Sequence, residues 1–178
     1  MHDTVTDEVL LLVFDEVMLR YKLPLTGIHG AGHWGRVLEN GLKLAEQTGA
    51  NIGIVKLFAL LHDSRRMNED RDPEHGGRGA ELARSLQGRI YTLSRTDLDL
   101  LGEACAHHTA GKLAADITVQ TCWDADRLDL RRVGHIPDPR RLCTAAAKDP
   151  VMIEWASRRS LAGHVTEFAR MLLSRRNT

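Results

Sequence analysis

Apolar residues recur at helical spacing along nearly the whole chain. Apolar residues three or four positions apart predict an amphipathic helix over the segment from Thr4 to Tyr21, with Thr6 as its cap. The segment from 52 to about 66 is apolar almost all round, which is typical of a buried central helix. Further helices are predicted at 33–48 with Gly49 as C-cap, at 72–86 with Asp72 as cap and Pro73 in the first turn, at 94–108 with Ser94 as cap, at 118–131 and at 151–174.

These elements predict an all-α fold. Only residues 89–93 resemble a strand, and one short strand cannot build a sheet. Pro137 and Pro139 interrupt the chain before the last helix, and neither a repeat nor a linker divides it. A chain of 178 residues can bury a core of its own. We therefore expect a single-domain helical bundle over residues 1–178.

Composition narrows the choice of partners and compartment. Twenty-four Lys and Arg residues balance 24 Asp and Glu residues, so neither a nucleic-acid partner nor an anionic membrane surface is expected. The longest apolar stretch contains Lys56 and is too short to span a bilayer. No signal peptide is recognisable, and the three cysteines form no C-x-x-C pair. These features predict a cytoplasmic protein.

Histidines and carboxylates at the ends of predicted helices are the candidate chemistry. His62 and Asp63 end the apolar central helix, where ionisable groups are costly unless they are paired or bind metal. His33 and Asp124 lie on the inward faces of their helices. Three more histidines fall at or near the ends of two other helices: His75, His107 and His108.

Each of these residues also has an ordinary structural explanation. A single inward histidine is more often a hydrogen-bonded core residue than a ligand. Asp63 would suit an ion pair with a neighbouring arginine, and Asp124 one with Arg127 on the next turn. The joint pattern is harder to explain in this way. Imidazole and carboxylate together favour a transition metal over calcium.

Four sequence motifs carry a specific resemblance. They are Ile28-His-Gly-Ala-Gly-His-Trp-Gly-Arg-Val37, Leu57-Phe-Ala-Leu-Leu-His-Asp63, Asp72-Pro-Glu-His-Gly76 and Trp123-Asp-Ala-Asp-Arg-Leu-Asp129. The order His33, His62-Asp63, Asp124 resembles the H…HD…D signature of the HD-domain superfamily of metal-dependent phosphohydrolases. The likeness is to its small stand-alone members and covers about residues 28–135, with the last helix at about 151–174 beyond it.

The resemblance implies a divalent metal on His33, His62, Asp63 and Asp124. His75 and one of His107 or His108 fall where larger HD proteins hold a second metal, which would make Asp63 a bridging ligand. Alternatively, one of these histidines binds the substrate phosphate. Manganese, iron, cobalt, nickel and zinc all suit these ligands, at one or two ions per chain.

Hydrolysis is the chemistry expected from such a site, because bound metal activates water and polarises a phosphoryl oxygen. Arg65, Arg66 and Arg127 are candidate phosphate contacts, although solvated arginines at helix ends would look the same. Several HD phosphohydrolases carry an acid close to the HD pair, whereas here the acids come later. Glu69, Asp70 and Glu74 are the candidates, unless a hydroxide bound between the metals needs no side-chain base.

The expected function is hydrolysis of a nucleotide or another small phosphoester. The expected partner is a small phosphorylated molecule, with no nucleic acid and no membrane; an oligomer remains open. Two alternatives are kept. A few HD-fold proteins use a similar histidine set to hold two irons that activate dioxygen, and a metal-stabilised regulatory module would need no turnover.

Overall fold

Nine α-helices form the described part of the chain. The computed structural model describes residues 5–176. It confirms the all-α, single-domain fold, and within those residues only one isolated β-bridge, Gln87 to Tyr91, falls near the predicted strand-like segment. The helices are α1 (Asp7–Met18), α2 (Ala31–Thr48), α3 (Ile52–Leu61), α4 (His75–Leu86), α5 (Arg95–His107), α6 (Ile117–Arg127), α7 (Ala145–Lys148), α8 (Pro150–Leu161) and α9 (Glu167–Arg175).

Local capping explains where several helices begin and end. The side chain of Thr6 accepts a hydrogen bond from the Val9 amide, and that of Ser94 accepts one from the Asp97 amide. Gly49 ends α2 in the left-handed region, with φ of 71°, where glycine carries no Cβ penalty. The predicted caps at Thr6, Ser94 and Gly49 are thus confirmed. Thr4 lies outside the described residues.

Helix α3 forms the centre of the core. It packs against α1, α2, α4, α5 and α6, and side chains on all its sides are buried, as the sequence predicted. Helix α2 packs along α3, α6 and α9, while α4 and α5 pair with each other. No helix within residues 5–176 is both long and apolar enough to cross a bilayer.

Several predicted helix boundaries are wrong. The helices predicted over 4–21, 52–66 and 118–131 end early, at Met18, Leu61 and Arg127. The segment 151–174 is not one helix, because Gly163 takes a φ of 59° after α8 and Thr166 then caps α9. Asp72 does not cap α4, which begins at His75. Its carboxylate instead accepts hydrogen bonds from the Met67 amide and from Arg78.

Close backbone contact fixes the first half of α4 against the ends of α3 and α5. A Cβ on Gly79 would lie 2.6 Å from the Leu61 carbonyl oxygen, and one on Gly76 would lie 2.5 Å from that of Cys105. These two positions therefore need glycine. The contact brings the first residue of α4, His75, to the end of α3, where His62 and Asp63 lie.

We predict that Gly79→Ala destabilises the fold and Gly77→Ala does not. The added methyl group at position 79 would push α4 away from α3 and lower the free energy of unfolding by about 1–3 kcal/mol. Gly77 lies in the same helix, and no atom lies within 4 Å of the position that its added methyl group would take. There alanine should be neutral or should stabilise by up to about 1 kcal/mol. Urea unfolding of both variants tests this, and equal stabilities would contradict the packing described.

Candidate metal centre

Buried histidines and carboxylates meet where five helices end or begin. His33 lies in the first turn of α2, His62 and Asp63 follow α3, and His75 opens α4. His108 follows α5, and Asp126 lies in the last turn of α6. All but Asp126 are less than 5% exposed. The ends of separate helices thus bring together side chains that are far apart in sequence.

Asp63 lies at the centre of this cluster. Its Oδ2 is 3.6 Å from His33 Nε2 and 3.7 Å from His62 Nε2. Its Oδ1 is 3.1 Å from His75 Nε2 and 3.5 Å from His108 Nε2. The carboxylate therefore joins two groups of potential metal ligands, each compact enough for one ion.

Every histidine of the two groups is oriented by its other nitrogen. The Nδ1 atom of His62 donates to the Phe58 carbonyl at 3.0 Å, and that of His33 donates to Asp129 Oδ2 at 2.8 Å. The Nδ1 atoms of His75 and His108 donate to the carbonyls of Asp72 and Cys105. These bonds place the proton on Nδ1 and leave Nε2 facing the cluster as an electron-pair donor.

The inward nitrogens approach each other closely. His33 Nε2 lies 3.0 Å from His62 Nε2, and His75 Nε2 lies 2.9 Å from His108 Nε2. Two such lone pairs repel unless a cation lies beside them. Burial lowers the pKa of His62 to about 3 and also lowers the pKa of His33, so a proton does not supply that cation. A divalent metal fits the first group.

The pKa shifts in the second group differ from those in the first. Burial opposes the charged form of His108, but the nearby carboxylates of Asp63 and Asp126 raise its pKa overall. Asp63 responds in the opposite sense. Burial alone would raise the pKa of its carboxyl, yet the surrounding histidines, His62 foremost, hold it well below its usual range. The central carboxylate is therefore charged, and it suits a cation on each side.

Asp126 completes the first group. Its Oδ1 lies 3.4 Å from His33 Nε2 and 3.9 Å from His62 Nε2. Burial opposes its charged form, but nearby His62 and His33 lower the pKa of its carboxyl. The first group thus has two imidazoles and two carboxylates, a donor set that suits a divalent transition metal.

Comparison with known proteins agrees with this arrangement. The family model of the HD domain matches residues 30–131, which is more than half of the chain. The chain belongs to the HD-domain superfamily. A search of curated proteins found no match.

A solved structure shares the fold of this HD domain. It is the crystal structure of a predicted HD superfamily hydrolase from an uncultured Thermotogales bacterium. The two chains are 24% identical, with a TM-score of 0.61 over 94% of this chain and 91% of the other.

Most of the predicted metal residues of this HD domain do meet. His33, His62 and Asp63 lie together, and His75 and His108 lie on the other side of Asp63. Between the two neighbouring candidates, His108 enters the cluster. His107 is half-buried in the last turn of α5, and its carbonyl accepts from the Ala110 amide.

Asp124, which was predicted as a metal ligand, belongs to neither group, and its carboxylate makes other contacts. Its Oδ1 accepts a hydrogen bond from the Cys143 amide at 2.7 Å. Its Oδ2 accepts two more at 2.8 Å, from the amide and the hydroxyl of Thr144. The fully buried carboxylate therefore anchors the segment before α7 to helix α6.

The three predicted phosphate contacts have different surroundings. Arg66 lies at the cluster, with Nη1 3.6 Å from Asp63 Oδ1 and 3.3 Å from His75 Nε2. The side chain of Arg65 is half-buried, and burial followed by the nearby Arg20 lowers its pKa. Arg127 donates to the carbonyls of Arg141 and Lys112 at 2.9 and 2.8 Å. These bonds hold the Arg127 side chain at the wall of a cavity that His108 and Asp126 also line.

The three candidate acids also differ in their surroundings. Asp70 and Glu74 are exposed, and Glu74 immediately precedes α4. Glu69 is partly buried, and its Oε2 lies 3.8 Å from His29 Nε2. His29 Nδ1 in turn donates to Asp63 Oδ2 at 2.7 Å. Of the three acids, Glu69 is therefore the one connected to the cluster.

Sequence reasoning missed three residues of the site: His29, Asp126 and Asp129. Asp126 and Asp129 stand in the same quoted motif as Asp124. Asp129 pairs with Arg36 through two hydrogen bonds and orients His33. A helical wheel would have helped, because Asp126 and Asp129 are three residues apart and share a face. For His29 the only signal was its spacing of four residues from His33.

A cavity of about 850 Å³ adjoins the cluster. His108 and Asp126 form part of its wall, and Leu130, Ile136 and Leu142 provide an apolar part. Its volume lies within the range of about 300–1,000 Å³ that is usual for small-molecule sites.

We predict that Asp124→Asn destabilises the metal-free fold by about 1–3 kcal/mol. The amide group cannot accept all three hydrogen bonds that the carboxylate accepts. Asp99→Asn is the matched control, because Asp99 is exposed and its replacement should change stability by no more than about 0.5 kcal/mol. Urea unfolding in chelator measures both. Equal effects would mean that Asp124 does not hold the segment before α7.

Proposed function

We propose that this chain is a metal-dependent phosphohydrolase that acts on a small phosphoester. The supporting observation is the buried Asp63 carboxylate, whose two oxygens each face a separate pair of imidazole Nε2 atoms. Sites with two neighbouring divalent cations commonly catalyse displacement at phosphorus. The description of the Thermotogales protein as an HD superfamily hydrolase is consistent with this proposal.

The proposed ligands follow from the two groups. His33, His62, Asp63 and Asp126 would hold the first ion, and Asp63, His75 and His108 the second. Asp126 thus replaces Asp124 in the set that the sequence suggested. Manganese, iron, cobalt, nickel and zinc are all compatible with imidazole and carboxylate ligands.

The bound ions would lower the pKa of water and polarise a phosphoryl oxygen. The chain's own residues supply the surroundings. Arg66 lies beside Asp63 and is held by the main-chain carbonyls of Asn68 and Asp70. This anchoring fits it to bind a phosphoryl oxygen without reorganisation.

The cavity next to Asp126 is the proposed binding site for the rest of the substrate. Arg127 and Arg141 both lie in its wall, and Arg141 forms no ion pair among residues 5–176, so both are candidate contacts for a negative charge. Glu69 is the proposed acid, because it alone of the three candidates reaches His29 and through it Asp63. Its Oε2 is buried and accepts no hydrogen bond from the described residues.

We predict close to two metal ions per chain in protein purified without chelator. Asp63→Ala should hold almost none, because both groups lose a shared charged ligand. His75→Ala should hold close to one. Elemental analysis of the purified variants measures these values.

Asp126→Ala and Asp124→Asn test the ligand assignment within one motif. Asp126→Ala should weaken metal binding at the first group, whereas Asp124→Asn should keep wild-type occupancy despite its lower stability. Full occupancy in Asp126→Ala together with loss in Asp124→Asn would make Asp124 the ligand after all.

Another prediction separates hydrolysis from oxygen chemistry. Under anaerobic conditions, protein loaded with manganese, cobalt or nickel should release phosphate from some member of a phosphoester panel, because hydrolysis needs no oxidant. Asp63→Ala, treated identically, controls for a contaminating phosphatase. An inert manganese protein, together with iron-loaded protein that consumes dioxygen, would favour the di-iron alternative. No turnover with any metal would favour a regulatory module.

A further inference from the structure

A second cavity lies apart from the one beside Asp126. It has a volume of about 450 Å³ and lies between the first turn of α2, the short 3-10 helix Leu130–Val133 and the turn that joins α8 to α9. The two cavities share no lining residue. His33 is the one proposed metal ligand in its wall, and the proposed hydrolysis assigns no role to the arginines beside it.

Arginines dominate the polar part of its wall. Arg36, Arg131 and Arg132 all line the cavity, and none of the described residues that line it carries a carboxylate. The chain as a whole has equal numbers of acidic and basic residues. Three guanidinium groups in one cavity are therefore a local concentration of positive charge.

One carboxylate behind the wall offsets only part of this charge. Asp129 is 1% exposed and accepts hydrogen bonds from Arg36 at 2.7 and 3.0 Å. Arg132 lies 3.8 Å from the same carboxylate and donates to the main-chain carbonyls of Ile28 and Asp129. Arg131 forms no ion pair within residues 5–176. Two positive charges thus remain in excess of the one negative charge.

One neighbouring titratable group responds to this charge. The pKa of His164, in the turn between α8 and α9, is lowered by burial and then by Arg159, Arg170 and Arg36.

The rest of the wall is mainly apolar, with Thr26, His33 and Ser160 as its other polar residues. Leu25 and Leu173 are at the cavity, together with Ile28, Leu161 and Val165. The last three are 43%, 66% and 37% exposed, so apolar surface lies beside the arginines and remains in contact with solvent. A ligand that carries both a charged and an apolar part would cover both.

We propose that this cavity is a binding site for a small molecule that carries a phosphate group on an apolar organic group. Guanidinium groups bind phosphate through paired N–H donors, and Arg131 has no competing carboxylate. The volume lies within the usual range of about 300–1,000 Å³ for small-molecule sites, so it accommodates more than a phosphate ion. The apolar group contacts Ile28, Leu161 and Val165.

Calorimetric titration of chelator-treated protein tests the site without a contribution from metal-bound phosphate. The probes are inorganic phosphate and butyl phosphate in a low-salt buffer that contains no phosphate. Asp63→Asn, also treated with chelator, serves as a second preparation that lacks the central metal ligand. Both preparations should show saturable binding that weakens with added salt, and butyl phosphate should bind more tightly than phosphate.

Two arginine variants identify the location. Arg131→Gln should weaken the binding of both probes by about tenfold or more, the loss expected for a charge-assisted contact. Arg140→Gln is the matched control, because Arg140 is exposed, pairs with Asp138 and lines neither cavity. Its affinity for both probes should equal that of the wild type. Leu161→Ser should reduce only the advantage of butyl phosphate over phosphate.

Three results would overturn the proposal. The first is the absence of saturable binding in both preparations at millimolar probe. The second is equal affinity of Arg131→Gln and Arg140→Gln. The third is binding in chelator-treated wild type that disappears in Asp63→Asn, since this would place the phosphate at the metal centre. None of these results contradicts the proposed hydrolysis of phosphoesters, so the two proposals fail independently.

Discussion

A charged carboxylate in the centre of a helical core is the constraint on which this structure depends. Asp63 follows the most apolar helix of the chain and is 2% exposed, where an isolated charge would be very costly. Five imidazoles surround it, and four of them, His62, His108, His29 and His75, hold the pKa of its carboxyl low against the effect of burial. The packing of the helix ends therefore also places the histidines that stabilise this charge. Moving α4 or α5 away from α3 would remove His75 or His108 from that carboxylate.

Hydrogen bonds to the Nδ1 atoms fix the orientation of the histidines in the cluster. The Nδ1 atoms of the four inner histidines are held by main-chain carbonyls or by Asp129, so the electron pairs on Nε2 face one another. Most of these bonds are made by the backbone of the same or an adjacent turn, and they need no additional side chain. The bond from His33 to Asp129 is the exception, because a side chain accepts it. Asp129 also binds Arg36 and lies near Arg132. Through this residue the metal centre and the arginine-lined cavity have a common wall.

Motif Trp123–Asp129 shows how closely spaced carboxylates acquire different roles. Asp124, Asp126 and Asp129 lie within two turns of chain, at the end of α6 and just beyond it. Asp124 accepts from the segment before α7, Asp126 faces His33 and His62, and Asp129 holds His33 from behind. A rotation of about 100° per residue separates positions that are adjacent in the sequence. The motif therefore identifies the region, whereas the angle about the helix axis assigns each carboxylate.

Periodicity and capping in the sequence determined the all-α class, the buried character of α3 and the helix starts at Thr6 and Ser94, because these depend on residues within one or two turns. The unusual polarity of His62 and Asp63 at the end of an apolar helix likewise indicated the site. The tertiary structure alone decided which histidine of the His107–His108 pair enters the cluster and that Asp126 faces it. It also decided that Arg127 binds main-chain carbonyls and that His29 reaches Asp63 across 34 positions. These outcomes depend on how separate helices pack and rotate against one another, and local sequence does not encode that geometry.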